Sequence, residues 1–330
     1  MLLIINDIKN RHVSVDTKEE FETILLAESG IQKAKLNKLF FWFEFRMYWL
    51  LKKIGFTTVR KTSEKNRKKP LQDKKHLFIV MMWFDYYGYR PYGLTTNHNR
   101  SIYMFDAWEK NHKNIVDFVR EFCIDYVFVS SSQATDMLNR LLGQKRFFWI
   151  PEGINPDEYK VIPYEEKNID VLALGRRYDV HHNAVVVSLE TSTQTYTYLY
   201  EKEKGKIIFP TREEFIDGLA RTKISICTPS NITHPDRAGN IETMTIRYLQ
   251  SMLSKCLIVG YAPKEMIELF GYNPVIEIDN ENPSGQLEYL LENYTDYIPL
   301  IEKNYQQVIA NHTWKSRWEC IKTIYMTDKK

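Results

Sequence analysis

Cysteine is scarce: the chain has four, Cys123, Cys227, Cys256 and Cys320, too far apart to read as a disulfide framework. Three of them sit in apolar periodic segments, which suits reduced core thiols and sets the expectation of a cytoplasmic protein. No apolar run is long enough to span a bilayer. The opening "MLLIINDIKNRHVSVDTKEE" lacks a basic leader and a small-residue cleavage site, so no secretory signal is expected. No strand is followed by G-x-G-x-x-G, which disfavours a dehydrogenase. No nucleophile stands in a recognisable elbow, which disfavours Ser-His-Asp or Cys-His hydrolysis. Net charge is only +3, so charge as a total does not nominate nucleic acid; its distribution matters more.

What the chain has is length and aromatic content. Its 330 residues suffice for two domains, each able to bury a core. Near the start, "LLIIN" reads as a short strand and "TKEEFETILLAE" as a helix with Thr17 as cap and Glu20 completing a capping box. Ile31 to Gly55 reads as a helix whose middle, Leu39 to Leu51, is apolar and aromatic nearly all round, so it is buried or lies at an interface. That middle covers about 20 Å against the roughly 30 Å of a bilayer core, which excludes spanning but not lying on a membrane. The following Lys52 to Lys75 is strongly basic, with Glu64 and Asp73 its only acids; aromatic groups beside such a run suit an anionic lipid surface. The plainer reading packs the helix on the first domain and leaves the basic run a solvated loop.

From His76 the pattern is regular. "HLFIVMMWF", "RSIYMFDAW", "IDYVFVSS" and "RFFWIP" read as buried strands, with helices "NIVDFVREFC" and "SQATDMLNRLLG" between the later ones. Alternation of this kind means a parallel sheet. "IPEGINPDEYKVIPYEEKN" then crowds Pro, Gly, Asn and charges together and reads as a linker. The second half repeats the grammar: strands "NIDVLALG", "GKIIFP", "KISICTPS", "CLIVG" and "PVIEID". The helix "TREEFIDGLA" is capped by Thr211 and Glu214, and "APKEMIELFG" is bounded by Pro263 and Gly271. The expected architecture is α/β, two Rossmann-like domains facing across a cleft. It divides into a helical, basic region 1–75 belonging to or packed on the first domain, that domain at 76–155, a second at 156–311 and a closing helix at 312–330.

In such sheets ligands sit beyond the carboxyl ends of the strands, so residues just after strands and at helix starts are the candidates. Three groups qualify. In "ALGRRYDVHHNAV", Gly175 permits a tight turn, and Arg176 and Arg177 offer the planar forks that suit a diphosphate. Its pair His181 and His182 has no further ligand at metal spacing and is not a metal site. "CTPSNITHPDRAGNIET" is a long polar loop holding His234, Asp236, Arg237, Gly239, Asn240 and Glu242 with no apolar anchor, as a binding loop would. In "GNIETMTIRYLQSMLSKCLIVGY", Leu249, Met252, Leu253 and Cys256 form a buried helix face, while Arg247 and Gln250 share another. The start of that helix, with Thr243, Thr245 and Arg247, favours an anion; Gln250 can donate and accept, as a ribose hydroxyl pair requires.

These residues carry a family resemblance. "IETMTIRYLQSMLSKCLIVG" resembles the donor-binding segment of GT-B glycosyltransferases of the "glycosyl transferases group 1" superfamily, whose pattern sets two glutamates eight positions apart. Glu242 falls on the first and Gln250 on the second, and "RYLQ" is similar to the R-x-F-E variant of a subgroup. "DYVFVSSSQATDML" followed by "WIPEGINPDEY" looks like the superfamily's domain end and hinge, "VLALGRRY" like the first strand of its nucleotide-sugar domain, and "HTWKSRWECIKTIY" like its closing helix. The likeness runs from Ser101 to Tyr325. It departs from the pattern at Gln250, which makes the ribose contact an amide, and in lacking the usual Arg-Lys pair for the diphosphate, a role passed to Arg176, Arg177 and Arg247.

The resemblance implies transfer of a sugar from a nucleotide diphosphate donor to an acceptor hydroxyl, in surface polysaccharide or glycan biosynthesis. It makes Gly175, Arg176, Arg177, Arg237, Glu242, Thr243, Arg247 and Gln250 the donor set. Cations and a helix end would stabilise the leaving diphosphate, and the absence of an Asp-x-Asp pair fits an enzyme independent of metal and of any cofactor. The acceptor, a glycan or lipid-linked glycan, would sit on the first domain's aromatic loops, with Asp106 and Asp85 as base or acceptor contact and His98 behind them. The expected setting is cytoplasmic, at the inner face of an anionic membrane. Two rivals remain: a catalytically silent GT-B protein that binds a sugar nucleotide or a partner, and, less favoured, a nucleic-acid binder using Lys52 to Lys75.

Overall fold

The computed structural model describes residues 2–4, 16–33, 38–54, 75–84, 98–122, 124–175, 177–191, 196–201 and 207–327. Asp85, Arg176 and the core of the basic run, 55–74, fall outside them. The chain forms two compact units: Lys18–Pro151 with Trp318 onward makes the first, and Glu152–Arg317 the body of the second.

The first unit comprises β1 (Leu2–Ile4), α1 (Asp16–Ala27), β2 (Gln32–Lys33), α2 (Lys38–Lys53), β3 (Lys75–Trp83), β4 (His98–Asp106), α3 (His112–Glu121), β5 (Tyr126–Val129), α4 (Ser132–Leu142) and β6 (Phe147–Trp149). Its sheet runs β2-β1-β3-β4-β5-β6, every pair parallel. The apolar run Leu77 to Met81 is buried along its whole length, as a strand covered on both faces must be. The helix over α4 follows from its ends and spacing. Ser131 accepts the Ala134 amide, Ala134, Leu138 and Leu142 face inward, and Gly143 closes it at φ 76°. Helix α1 starts at Asp16, so Thr17 lies inside it and is buried rather than capping it.

The second unit comprises β7 (Ile169–Ala173), α5 (Asp179–Thr191), β8 (Tyr198–Tyr200), α6 (Arg212–Ala220), β9 (Thr222–Cys227), the short α7 (Ser230–Thr233) and α8 (Pro235–Ala238), α9 (Ile246–Leu253), β10 (Leu257–Gly260), α10 (Lys264–Phe270), β11 (Ile276–Glu277), α11 (Pro283–Glu292) and α12 (Ile298–Asn311). The chain then enters α13 (Trp314–Thr327), whose residues from Trp318 belong to the first unit. The second sheet runs β11-β10-β9-β7-β8, all parallel. The chain winds outward to β8 on one side of β7 and to β9, β10 and β11 on the other, so the order reverses between β7 and β9. Beyond the carboxyl ends of those two strands a doubly wound sheet leaves a crevice.

Three details hold this unit together. The expected capping box closes α6: Thr211 Oγ1 accepts the Glu214 amide, and Glu214 accepts the Thr211 amide. Lys167 is buried and donates to the carbonyls of Ala220, Thr222 and Ser254 at 2.7, 2.8 and 2.9 Å. It thereby ties the entry of β7 to the start of β9 and the end of α9. At the linker, a Cβ on Gly153 would lie 2.8 Å from the Trp314 nitrogen, so only glycine lets the two backbones meet.

The sheet also corrects the sequence reading. "GKIIFP" does not supply a strand: Ile207 to Pro210 is irregular, and Phe209 instead fills the space under α6, where a Cβ on Gly218 would stand 2.2 Å from its ring. The strand between α5 and α6 is β8, in "YTYLY", whose alternation of tyrosines is itself a strand signal.

Candidate functional site

A cavity of about 420 Å³ opens at the carboxyl ends of β7 and β9, where the strand order reverses. Its walls come from four elements: Ala173 at the end of β7 and Gly175 after it, Arg177, Tyr178, Asp179, His181 and His182 at the start of α5, Tyr198 and Tyr200 of β8, and Ile226, Thr233 and His234 around the end of β9. A larger hollow of about 570 Å³ lies at the opposite ends of the strands, beside Glu166 before β7 and Arg221 before β9. Two of its charged groups, Lys160 and Asp217, pair at 2.7 Å, and its place is wrong for a ligand of a doubly wound sheet.

Gly175 is the pivot of the smaller cavity. It turns the chain out of β7 at φ 72°, a conformation glycine adopts without strain, and a Cβ there would lie 3.1 Å from Nη2 of Arg247. The absence of a side chain at 175 therefore lets the Arg247 guanidinium reach the end of β7. The same guanidinium acts on the end of β9: burial pushes the Cys227 thiol up, and Arg247 pulls it back down. Arg177 stands exposed on the near side, its Nε donating to Asp179 at 2.8 Å.

The two histidines have different tasks. His182 is buried, with Nδ1 2.9 Å from the Tyr198 hydroxyl and Nε2 3.5 Å from Nη1 of Arg177. Since Arg177 can only donate, Nε2 is the acceptor and Nδ1 carries the proton. Burial, then Arg177, lowers its pKa against the opposing pull of Asp179. Its ring is flanked by Tyr198 and Tyr200, centroids 5.6 and 4.6 Å away, making an aromatic wall. His181 is 2% exposed, and its Nε2 has no hydrogen-bond partner among the described residues. Burial, then the neighbouring His182, brings its pKa down to about 4. A buried polar atom with nothing to bind is costly unless something else occupies its cavity.

Two buried histidines, His181 here and His312 at the end of α12, predict acid lability. Unfolded, His181 and His312 take up protons near pH 6.5; folded, they do so near 4 and near 3, the latter because burial and Arg317 oppose charge. Between those values the unfolded state binds more protons, so stability falls as pH drops from 6.5 toward 4. The loss is on the order of 3 kcal/mol per histidine. Thermal unfolding followed across that range should show the midpoint falling, and His181→Gln should flatten the fall; equal slopes for the two proteins would refute the assignment.

The donor set expected from sequence is only partly gathered here. Gly175 and Arg177 line the cavity and Arg247 abuts it through Gly175. Arg237 is exposed on α8 and, like Thr243, is not among the cavity walls; His234 and Thr233 of the same loop are. Glu242 and Thr243 do not belong to a helix, because α9 begins at Ile246. They lie in a loop pinned from both sides: Glu242 accepts the Lys264 amide at 3.2 Å, and Met244 donates to Glu265 at 2.8 Å. Glu242 thus receives the start of α10. Gln250 is 6% exposed and its amide nitrogen donates to the Tyr159 hydroxyl at 3.1 Å, which engages that side of the amide in the interior.

In the first unit, His98 and Asp106 are the first and last residues of β4. At about 3.3 Å per residue they are roughly 26 Å apart along the strand, so His98 cannot stand behind Asp106 in one site. Asp106 is at the carboxyl end, opposite Trp83 of β3, where ligands of such sheets bind. Asp85 lies outside the described residues. Tyr198, Tyr200 and His181 escape the sequence reading because apolarity favours "GKIIFP" over "YTYLY" for this strand and a histidine pair draws notice chiefly as a metal-site candidate. Among the described residues no group of three His, Cys, Asp or Glu could hold a metal ion.

Comparison by sequence finds no matching family model and no matching curated protein. Comparison by structure finds the fold. The chain is similar to Anabaena HepE, solved with UDP and glucose and with UDP-glucose, at 9% identity, 99% of both chains and a TM-score of 0.59. It is similar to a glycosyltransferase from Rickettsia africae at 12% identity, over 98% of this chain and 97% of that one, with a TM-score of 0.58. Sucrose-phosphate synthase from Thermosynechococcus elongatus follows at 11% identity, 76% and 73% coverage and a TM-score of 0.53. TarM matches at 12% identity and a TM-score of 0.53, with 76% of this chain covering 54% of TarM, so this chain spans about half of TarM's length. The chain has the GT-B fold.

Proposed function

We propose that this protein is a glycosyltransferase that binds a nucleoside diphosphate sugar in the cavity beyond β7 and β9 and passes the sugar to an acceptor hydroxyl of a glycan or lipid-linked glycan. One observation carries the reading: in a GT-B fold, the cavity at the strand reversal is lined by Arg177 and by the buried His181, whose Nε2 has no partner among the described residues, and the Arg247 guanidinium abuts it at Gly175. HepE, of the same fold, was solved with UDP and UDP-glucose.

The chemistry follows from the groups present. The bond from the anomeric carbon to the diphosphate oxygen breaks, a bond to the acceptor oxygen forms, and the acceptor proton passes to a base. Asp106, at the carboxyl end of β4, is the group in the first unit proposed for acceptor contact. Charge develops on the departing diphosphate, where two guanidinium forks stabilise it most, and neutral His181 adds a donor without desolvating a charge. No metal and no cofactor is required in this scheme. The faces of Tyr198 and Tyr200 offer a platform for base or sugar.

A thermal-shift series with UDP, GDP, ADP and their glucose conjugates tests the site, followed by a transfer assay with chelator present. One nucleotide should raise the midpoint by several degrees at concentrations about a hundred times Kd, and His181→Ala should abolish most of that rise. Transfer should persist in chelator. No stabilisation by any nucleotide would sink the site; stabilisation without transfer or donor hydrolysis to any acceptor tried would identify a silent binding protein instead.

A further inference from the structure

Helix α2 takes no part in the site above, yet it is the most unusual surface of the first unit. Leu39, Trp42, Phe43, Met47, Leu50 and Ile54, which follows its last turn, are each between 37% and 80% exposed. Spacings of three and four put them on one arc of the helix, so the exposure is a continuous apolar face and not a scatter of single residues. Arg46 and Lys53 are exposed on the same arc, and the Arg46 guanidinium lies 4.7 Å from the Trp42 ring, covering the indole while keeping its charge in water. At the helix's C-terminal end the chain runs into a segment, Lys52 to Lys75, with ten Lys and Arg against two acids.

We infer that α2 is a docking face for an anionic lipid surface, lying in the plane of the membrane with its apolar arc in the acyl boundary and its basic residues among the headgroups. Sixteen residues make a rod of about 24 Å, too short for the roughly 30 Å core, and no described helix is long and apolar enough to cross a membrane. A face of Trp, Phe, Leu and Met beside Arg and Lys is the composition of a helix that lies on a bilayer. The charge selects the occupant. A second copy would bring its own Arg46 and Lys53 to the same face, where repulsion opposes pairing, whereas an anionic surface neutralises them. This inference is independent of the donor site.

Flotation of the full chain with vesicles tests it. One set is phosphatidylcholine alone and the other contains roughly 30% phosphatidylglycerol, enough to give a negative surface. The protein should float with the anionic vesicles at least about tenfold better than with the neutral ones, and raising salt from about 0.05 to 0.5 M should weaken binding. Binding should shift Trp fluorescence to the blue. The double variant Phe43→Glu, Leu50→Glu, both exposed, should keep its circular dichroism and melting midpoint and lose most flotation; Arg46→Glu with Lys53→Glu should lose the preference for anionic lipid. Flotation of neither vesicle, or a Phe43→Glu, Leu50→Glu protein that floats like the parent, overturns the inference. So does a dimer in light scattering that the same double variant dissociates, since α2 would then be covered by a second copy.

Discussion

Arg247→Ala should lower kcat/KM for sugar transfer about a hundredfold or more while moving the melting midpoint by no more than a few degrees. The residue is half-buried in the first turn of α9, with its guanidinium at Gly175 and acting on Cys227, and so at the ends of both strands that bound the cavity. A fixed cation there stabilises a diphosphate more as it departs, when its charge is largest, than while it is still esterified. Loss should therefore appear in kcat as well as in KM. Arg247→Lys keeps the charge and loses the fork, so it should fall between parent and alanine variant. Initial rates of nucleotide release, with nucleotide affinity by calorimetry, decide the matter. If the alanine variant keeps both within about twofold, the arginine is structural and the donor lies elsewhere.

The second large effect is on stability. In Gly260→Ala, the added Cβ would sit 1.7 Å from the carbonyl oxygen of Cys227 and 2.7 Å from its carbon. These are the facing ends of β10 and β9, paired in register, and the same oxygen accepts the Tyr261 amide at 3.2 Å and the Tyr248 hydroxyl at 3.4 Å. Neither backbone can yield without breaking the ladder, and Cys227, Tyr248 and Val259 are all buried around it. Overpacking against rigid backbone should cost upward of about 4 kcal/mol, lowering the melting midpoint by roughly 10 °C or leaving the chain insoluble. Gly271→Ala is the control: it has a positive φ of 73° but open space around it, so it should cost about 1 kcal/mol. Similar midpoints for the two variants would mean that β9 and β10 do not approach this closely at Gly260. Gly260→Ala should also disturb the site, because the end of β9 is where Arg247 acts.

Much of this was legible in the residues. Continuous apolar runs named nearly every strand of both sheets, because a strand buried on both faces has no polar position to spare. The caps of α6 and α10 were readable because a helix end needs local partners that the sequence itself must supply: Thr211 with Glu214, and Gly271 at the stop. The arginines at 177 and 247 and the glycine at 175 could be nominated as a group because doubly wound sheets leave one kind of place for a ligand, just past the strands. Even α2 announced itself as apolar on too many sides to be an ordinary surface helix.

The failures share a cause. Phe209 and Ile208 looked like a strand because apolarity alone does not distinguish a residue paired in a ladder from one plugging the underside of a helix. Gln250 reads from its chemistry alone as freely available, while Tyr159, ninety-one positions earlier, takes its amide nitrogen. Glu242 reads as an acid at a helix start, and stands instead in the loop before it, accepting the amide of Lys264 on the next helix. His98 and Asp106 looked like neighbours and are the two ends of one strand. The sequence by itself determined the layers, the parallel sheets and the short list of polar groups, since these depend on period and on local capping. Only the tertiary structure decided which of those groups meet, and that His181 reaches a cavity with a nitrogen unspent. Proximity across a sheet is set by strand order and packing between residues far apart in the chain, and no local pattern records it.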